Sequence, residues 1–293
     1  LQTTRGTVKQ FSRARRAVAV MPPITGKRPP QFGVTPDTAN DREAKLASFI
    51  GFNFARIWVD WGDHWDKTKI VAKKRGEYDW KHMDEKIETL KQYGINEFFA
   101  TLIGTPQWAS PYPDRTEVDI CVSKFAAWAP TDMKDWTDFV EAIVKRYGSS
   151  MKDWEMWNEP HLPNGSVFWR DTTEKYAELV KSGYDTIKRI DTSHRVWLGG
   201  QGGKRYLPFY REFLRLGGAP FDVLSMHGAW PGSSIPEFRE LETSFKAPSR
   251  VWGSTEWHGI LISAMEKPPS EAALAKRMIL DLCDQLKYGA QRI

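Results

Sequence analysis

Two glutamates, Glu159 in "MKDWEMWNEPHLPNG" (151 to 165) and Glu256 in "RVWGSTEW" (250 to 257), each close a short β-rich run. If both runs are strands of one parallel α/β barrel, both carboxyl groups stand at carboxyl ends of strands, where the loops that carry chemistry open. Glu159 would then end the fourth strand and Glu256 the seventh, roughly 135° apart around eight strands. Strands ~4.8 Å apart and tilted ~36° give a radius of about 7.5 Å, which sets the two Cα atoms ~14 Å apart. Side chains reaching in by about 4 Å each leave about 6 Å between carboxyl groups, against ~5 to 5.5 Å for retaining and ~6.5 to 9.5 Å for inverting cleavage of a sugar linkage. Such a pair suits glycosidic bond hydrolysis and leaves the stereochemistry open. Pro160 bars its predecessor from the helical region, so Glu159 is expected to be extended, at the last position of its strand.

The elements that must position these acids are legible as an alternation of strands and helices. Strand patterns occur at "FGVT" (32 to 35), "FARIWVD" (54 to 60), "EFFATLIG" (97 to 104), "WEMWNE" (154 to 159), "RVWLGG" (195 to 200), "DVLSMHG" (222 to 228) and "RVWGSTEW". Between them lie helical stripes: Met83, Ile87 and Leu90 before Gly94, then Trp136, Val140, Ile143, Val144 and Tyr147 before Gly148. A third runs from Tyr176 to Ile187, and a fourth holds Leu274, Met278, Ile279, Leu282 and Leu286 between Ser270 and Gly289. All four read as core faces. The fold class expected is α/β, a (β/α)8 TIM barrel over residues 31–293. "AQRI" at 290 to 293 reads as the start of an eighth strand, so the barrel is expected to be truncated in or before that strand. "AVAVM" (17 to 21) is a weaker candidate to close it.

Of the net charge of +5, seven positive charges and no negative ones fall in residues 1–30, which leaves −2 for the rest. Those 30 residues read as a basic arm or cover segment, and the body offers no electrostatic case for nucleic acid or an anionic membrane. No run approaches the ~18 apolar residues of a membrane span. Two cysteines and six scattered histidines suggest neither a disulfide framework nor a metal cluster, and no cofactor is expected. "GGQGGKR" (199 to 205) fails as a phosphate loop, because Leu198 and Arg205 are wrong for that pattern.

The residues at this point carry a resemblance. "WNEP" on strand four and "STEW" on strand seven resemble the paired signatures of glycoside hydrolase clan A, the retaining (β/α)8 glycosidases. Within the clan, "TPQWAS" (105 to 110), "WEMWNEPH" and "DVLSMH" are most similar to family 39, with family 5 next. The resemblance implies that Glu159 is the acid/base and Glu256 the nucleophile. It also implies that Asn158 bonds a substrate hydroxyl, that Arg56 on strand two keeps Glu256 ionised, and that His227 belongs to the site. Where relatives often carry a nucleophile-positioning tyrosine two residues after that histidine, this chain has Ala229, followed by Trp230.

Aromatic faces match the C–H face of a sugar ring, which makes Trp61, Trp108, Trp230 and Trp257 candidate platforms at strand ends. His161 and His258, close after the two glutamates, are candidate substrate contacts. The expected function is retaining hydrolysis of an oligo- or polysaccharide; the alternatives are a carbohydrate-binding barrel without turnover and, less well supported, a phosphate-binding barrel enzyme. The resemblance also implies an extracellular or periplasmic setting.

Overall fold

The computed structural model describes residues 33–36, 41–52, 54–63, 69–119, 122–160, 168–228, 232–256 and 270–291. Its frame is one parallel sheet of seven strands: β1 (Gly33–Val34), β2 (Phe54–Asp60), β3 (Glu97–Ile103), β6 (Met151–Met156), β7 (Arg195–Gln201), β8 (Val223–His227) and β9 (Val251–Glu256), paired in that order. The remaining strands, β4 (Val118–Asp119) and β5 (Val122–Ser123), form a small antiparallel ribbon in the loop after β3. The strands are short and buried on both faces, as a parallel sheet under a helical layer requires.

The helices α1 (Asp41–Ile50), α2 (Lys81–Gln92), α3 (Met133–Tyr147), α4 (Thr173–Ile190), α5 (Leu207–Arg215), α6 (Ile235–Ser244) and α7 (Glu271–Lys287) supply the crossovers. Capping is local and legible: the side chains of Asp132, Thr172 and Ser270 accept from Lys134, Lys175 and Ala273 N–H groups at three helix starts. After α7 the N–H of Gln291 donates to the Trp252 carbonyl in β9 at 2.9 Å, so the chain returns beside β9, where an eighth strand pairs in this fold. The expected α/β barrel architecture is thus observed through its seventh strand. Residues 1–30, including the basic arm and "AVAVM", lie outside the described residues.

Inside the barrel the side chains fall into layers. Phe54, Phe99, Trp197 and Val223 make a closed apolar cluster at one level. Two residues further along β2, β3 and β8 the inward positions turn polar, at Arg56, Thr101 and Ser225, and Glu155 from β6 joins them. Alternation of period two carries this arrangement, and the next inward positions form the mouth.

Two expectations need correction. The strand expected at 154–159 runs from Met151 to Met156, three residues earlier at each end, because the chain leaves the ladder where Trp157 takes φ +73°. Of the late stripe, Ile279 is 57% exposed, and Met278 and Leu286 are also exposed, while Asp281 and Gln285 are buried. Helical spacing identifies an apolar face but not which neighbour it meets; α7 instead turns its polar side inward, where Asp284 accepts from the Ser233 N–H.

Candidate active site

The mouth is built from the ends of β2, β6, β8 and β9. On β6 the departure from the ladder is sharp: Trp157 and Glu159 both hold positive φ, at +73° and +39°, although neither is glycine. Glu159 is therefore not extended, as the sequence had suggested, but is bent out of the strand in the left-handed region. Exclusion of the right-handed helical region by Pro160 is compatible with both conformations, so it could not choose between them. Each such residue stores about 1 to 3 kcal/mol of backbone strain, which the buried Trp157 ring anchors by donating its Nε1 to the Phe168 carbonyl at 2.6 Å.

A bulge aims the other acid. The ladder between β8 and β9 pairs Met226 with Ser254 and then His227 with Glu256, so β9 carries one extra residue there. Consecutive strand residues normally face opposite sides; the bulge lets both Thr255 and Glu256 turn toward the interior. Thr255 Oγ1 then lies 2.8 Å from His227 Nε2, while Glu256 Oε2 lies 3.2 Å from His227 Nδ1.

His227 is the buried hub between the two acids. Its Nδ1 stands 3.0 Å from Glu159 and 3.2 Å from Glu256, and one ligand atom from each of the three residues lies within 4.8 Å of the others. Glu159 and Glu256 are partly open, at 23% and 19% side-chain exposure, whereas His227 is at 1%. A cation could be coordinated by the same three groups, but the Arg56 guanidinium, 3.0 Å from Glu256, already provides the positive charge there.

Beneath them Arg56 spreads its fork over three acceptors. Nε and Nη2 donate to Glu155 at 3.1 and 2.7 Å, Nη2 also to Asn158 Oδ1 at 3.1 Å, and Nη1 to Glu256. Burial alone lowers the Arg56 pKa, but the attraction of Glu155 and then of Glu256, with their hydrogen bonds, raises it overall above its ordinary value. The arginine is thus a fixed positive charge beneath Glu256.

Sequence reasoning placed Glu159, Glu256, Asn158, Arg56 and His227 in one site, and the structure brings all five together. Trp61 is different. It is fully buried, stacked on Phe139 at 5.4 Å and packed against Trp136, so it is a core residue with no free face for a sugar. Trp58 was missed: it shares the inward parity of Arg56, is half-buried, and has the Arg56 guanidinium 4.3 Å from its ring centre. Period two from Arg56 was the available signal. Trp108 is half-buried in the loop after β3, donates to the Ala72 carbonyl at 2.9 Å, and lines a separate cleft with Gln107 and Phe125. Trp230, Trp257, His161 and His258 lie outside the described residues, as does Ala229.

Glycine in the "GGQGG" run also has a defined use. A Cβ on Gly200 would stand 1.9 Å from His227 Nε2, so β7 must be bare there for the imidazole to sit between the acids. Gly200→Ala is expected to lower kcat by about 10- to 100-fold through a displaced ring. It should also destabilise the fold by about 1 to 3 kcal/mol. Steady-state kinetics beside thermal unfolding checks this; unchanged kcat would remove His227 from the machinery.

The family model for glycosyl hydrolases family 39 matches residues 48–247. A beta-xylosidase of Caldicellulosiruptor saccharolyticus is 30% identical over 105 residues, 33% of this chain and 21% of that protein. The beta-galactosidase BgaA of Clostridium cellulovorans is 26% identical over 237 residues, 74% of this chain and 34% of the relative. Among solved structures, a GH39 beta-xylosidase from Caulobacter crescentus superposes with a TM-score of 0.64 at 21% identity, over 92% of this chain and 62% of that one. The chain thus spans about a fifth to a third of the curated relatives' length.

Proposed function

The chain belongs to glycosyl hydrolase family 39, and from that premise we propose that it acts as a retaining glycosidase on an oligo- or polysaccharide. The observation that carries the reading is the approach of Glu159 and Glu256 oxygens to within 4.8 Å across His227. Retaining catalysis needs carboxyl groups ~5 to 5.5 Å apart, because the second acid must touch the anomeric carbon itself; inverting catalysis leaves room for a water at ~6.5 to 9.5 Å.

In the proposed mechanism Glu256 attacks the anomeric carbon while Glu159 protonates the departing oxygen, which forms a glycosyl-enzyme ester. Glu159, now a carboxylate, takes a proton from water, and that water displaces Glu256 with a second inversion. Arg56 stabilises the Glu256 carboxylate before attack and as it leaves. Asn158, with its oxygen turned to Arg56, has its amide N–H groups available for a hydroxyl beside the anomeric centre.

The xylosidase names among the relatives make an aryl β-xyloside the first substrate to try. Proton NMR of the first product is expected to show a β-anomer that later mutarotates. An α-anomer as first product would overturn the retaining mechanism, and glycan binding without turnover would favour a binding barrel.

A further inference from the structure

Glu155 is fully buried, four residues before the proposed acid, and it does not reach the mouth. It nevertheless receives five hydrogen bonds. Arg56 Nε and Nη2 and Thr101 Oγ1 donate to Oε2 at 3.1, 2.7 and 2.7 Å; Ser225 and Thr255 hydroxyls meet Oε1 at 2.6 and 2.8 Å. A carboxylate has acceptor sites for all of these, and a carboxylic acid would give one of them up to its own proton. Burial of such a group is unfavourable unless it is paired and hydrogen-bonded, so the four surrounding residues are a built environment for one negative charge.

We propose that Glu155 is a positioning residue that sets the ionisation of both catalytic carboxyl groups, acting through Arg56 on Glu256 and through Thr255 and His227 on Glu159. This rests on the glycosidase reading. Glu155 takes two arms of the guanidinium and turns Nη1 to Glu256, so the nucleophile faces a cation already half balanced and keeps its proton affinity and nucleophilicity. On the other side, the Thr255 hydroxyl has one hydrogen and three neighbours: Glu155 Oε1 and His227 Nε2, both at 2.8 Å, and Ser225 Oγ at 2.6 Å, whose own hydrogen goes to Glu155. The charge on Glu155 draws the Thr255 hydrogen, so Thr255 accepts from His227 Nε2–H, and Nδ1 is left as the acceptor that faces a protonated Glu159.

Among the described residues, the charged and titratable groups around Glu155 are Arg56 from β2, Glu159 beyond β6, His227 from β8 and Glu256 from β9, with Tyr176 from α4 behind them. Among these, burial pushes the Tyr176 hydroxyl well above its ordinary range, so it stays neutral. A like charge disfavours ionisation of neighbouring acids, so removing the Glu155 charge lets both catalytic groups ionise at lower pH. At an effective dielectric of about 20, one unit charge within about 8 Å moves a carboxyl group by about one pH unit or more.

Glu155→Gln is nearly isosteric: its amide oxygen can accept from Arg56 and Thr101, and its NH2 can donate to Ser225 and Thr255. The experiment is the pH profile of kcat/KM on 4-nitrophenyl β-D-xylopyranoside for wild type, Glu155→Gln and Glu155→Asp. Both limbs should move to lower pH by about one unit in Glu155→Gln and return toward wild type in Glu155→Asp, which restores the charge. Reduced kcat on an unmoved profile would overturn the proposal, since packing alone predicts that. A protein inactive on glycosides would sink the glycosidase reading, not this one, because carboxyl 13C NMR follows Glu159 and Glu256 without turnover. Their titration midpoints should fall in Glu155→Gln; unshifted midpoints would refute it. Should Glu155→Gln fail to fold, Thr255→Val, which removes only the hydroxyl link between Glu155 and His227, decides: the Glu159 midpoint should move while that of Glu256 stays, and two unmoved midpoints would refute the proposal.

Discussion

Glu256→Ala is expected to cut turnover of an aryl β-xyloside by at least about 10⁴-fold, because both halves of a double displacement run through that oxygen and no neighbour can substitute for it. Azide should restore part of the rate and yield a glycosyl azide of inverted configuration, since the small anion enters the space the side chain vacates. Glu159→Ala should behave differently. With an activated leaving group it should lose little in the first step. With a poor one it should lose about 10² to 10⁴, the usual range for a general acid. Azide should then give the retained configuration, because Glu256 still forms the intermediate. The two azide products, read by NMR, identify which acid is which; the same anomer from both variants would refute the assignment.

Arg56→Met should be the most destabilising single change in the site. It strands Glu155 as a buried carboxylate without its cation, a loss of about 3 to 5 kcal/mol for one partner of a buried pair. The deficit has a sign with pH. A stranded Glu155 would hold its proton more tightly folded than unfolded, so the folded variant binds more protons and its stability falls as pH rises through the carboxyl range. Urea unfolding at acidic and neutral pH should therefore show a smaller deficit in acid. Adding Glu155→Gln to Arg56→Met should recover stability but not activity, because it removes the stranded charge and leaves Glu256 without its guanidinium. Recovery of both would reduce Arg56 to a structural role.

How far the sequence was legible divides along physical lines. Glu159 and Glu256 could be found because each ends a β-rich run and because barrel geometry ties two strand ends together. Arg56, Asn158 and His227 followed from resemblance, and the structure joins them by hydrogen bonds. The layer beneath was illegible: Thr101, Ser225 and Thr255 are small hydroxyl residues on three different strands, and only parity and register bring them to Glu155. Glu155 itself is paired with Arg56, which lies 99 residues away in the chain. Trp61 was misplaced because a strand-end tryptophan can as well close the core, and Glu159 because proline excludes one conformation without naming the one adopted. Where a tyrosine often positions the nucleophile, Arg56 and His227 hold Glu256 at 3.0 and 3.2 Å.

The positive φ of Glu159 ties two properties of the protein to one residue. A left-handed backbone suits glycine or asparagine better than glutamate, so those residues at 159 would relieve strain while removing the proposed acid. Heat tolerance and turnover then select in opposite directions at this position. A lineage that stopped cleaving sugars but still had to stay folded would be expected to drift there first, and a Gly or Asn at 159 in a relative would mark a barrel retained for binding alone.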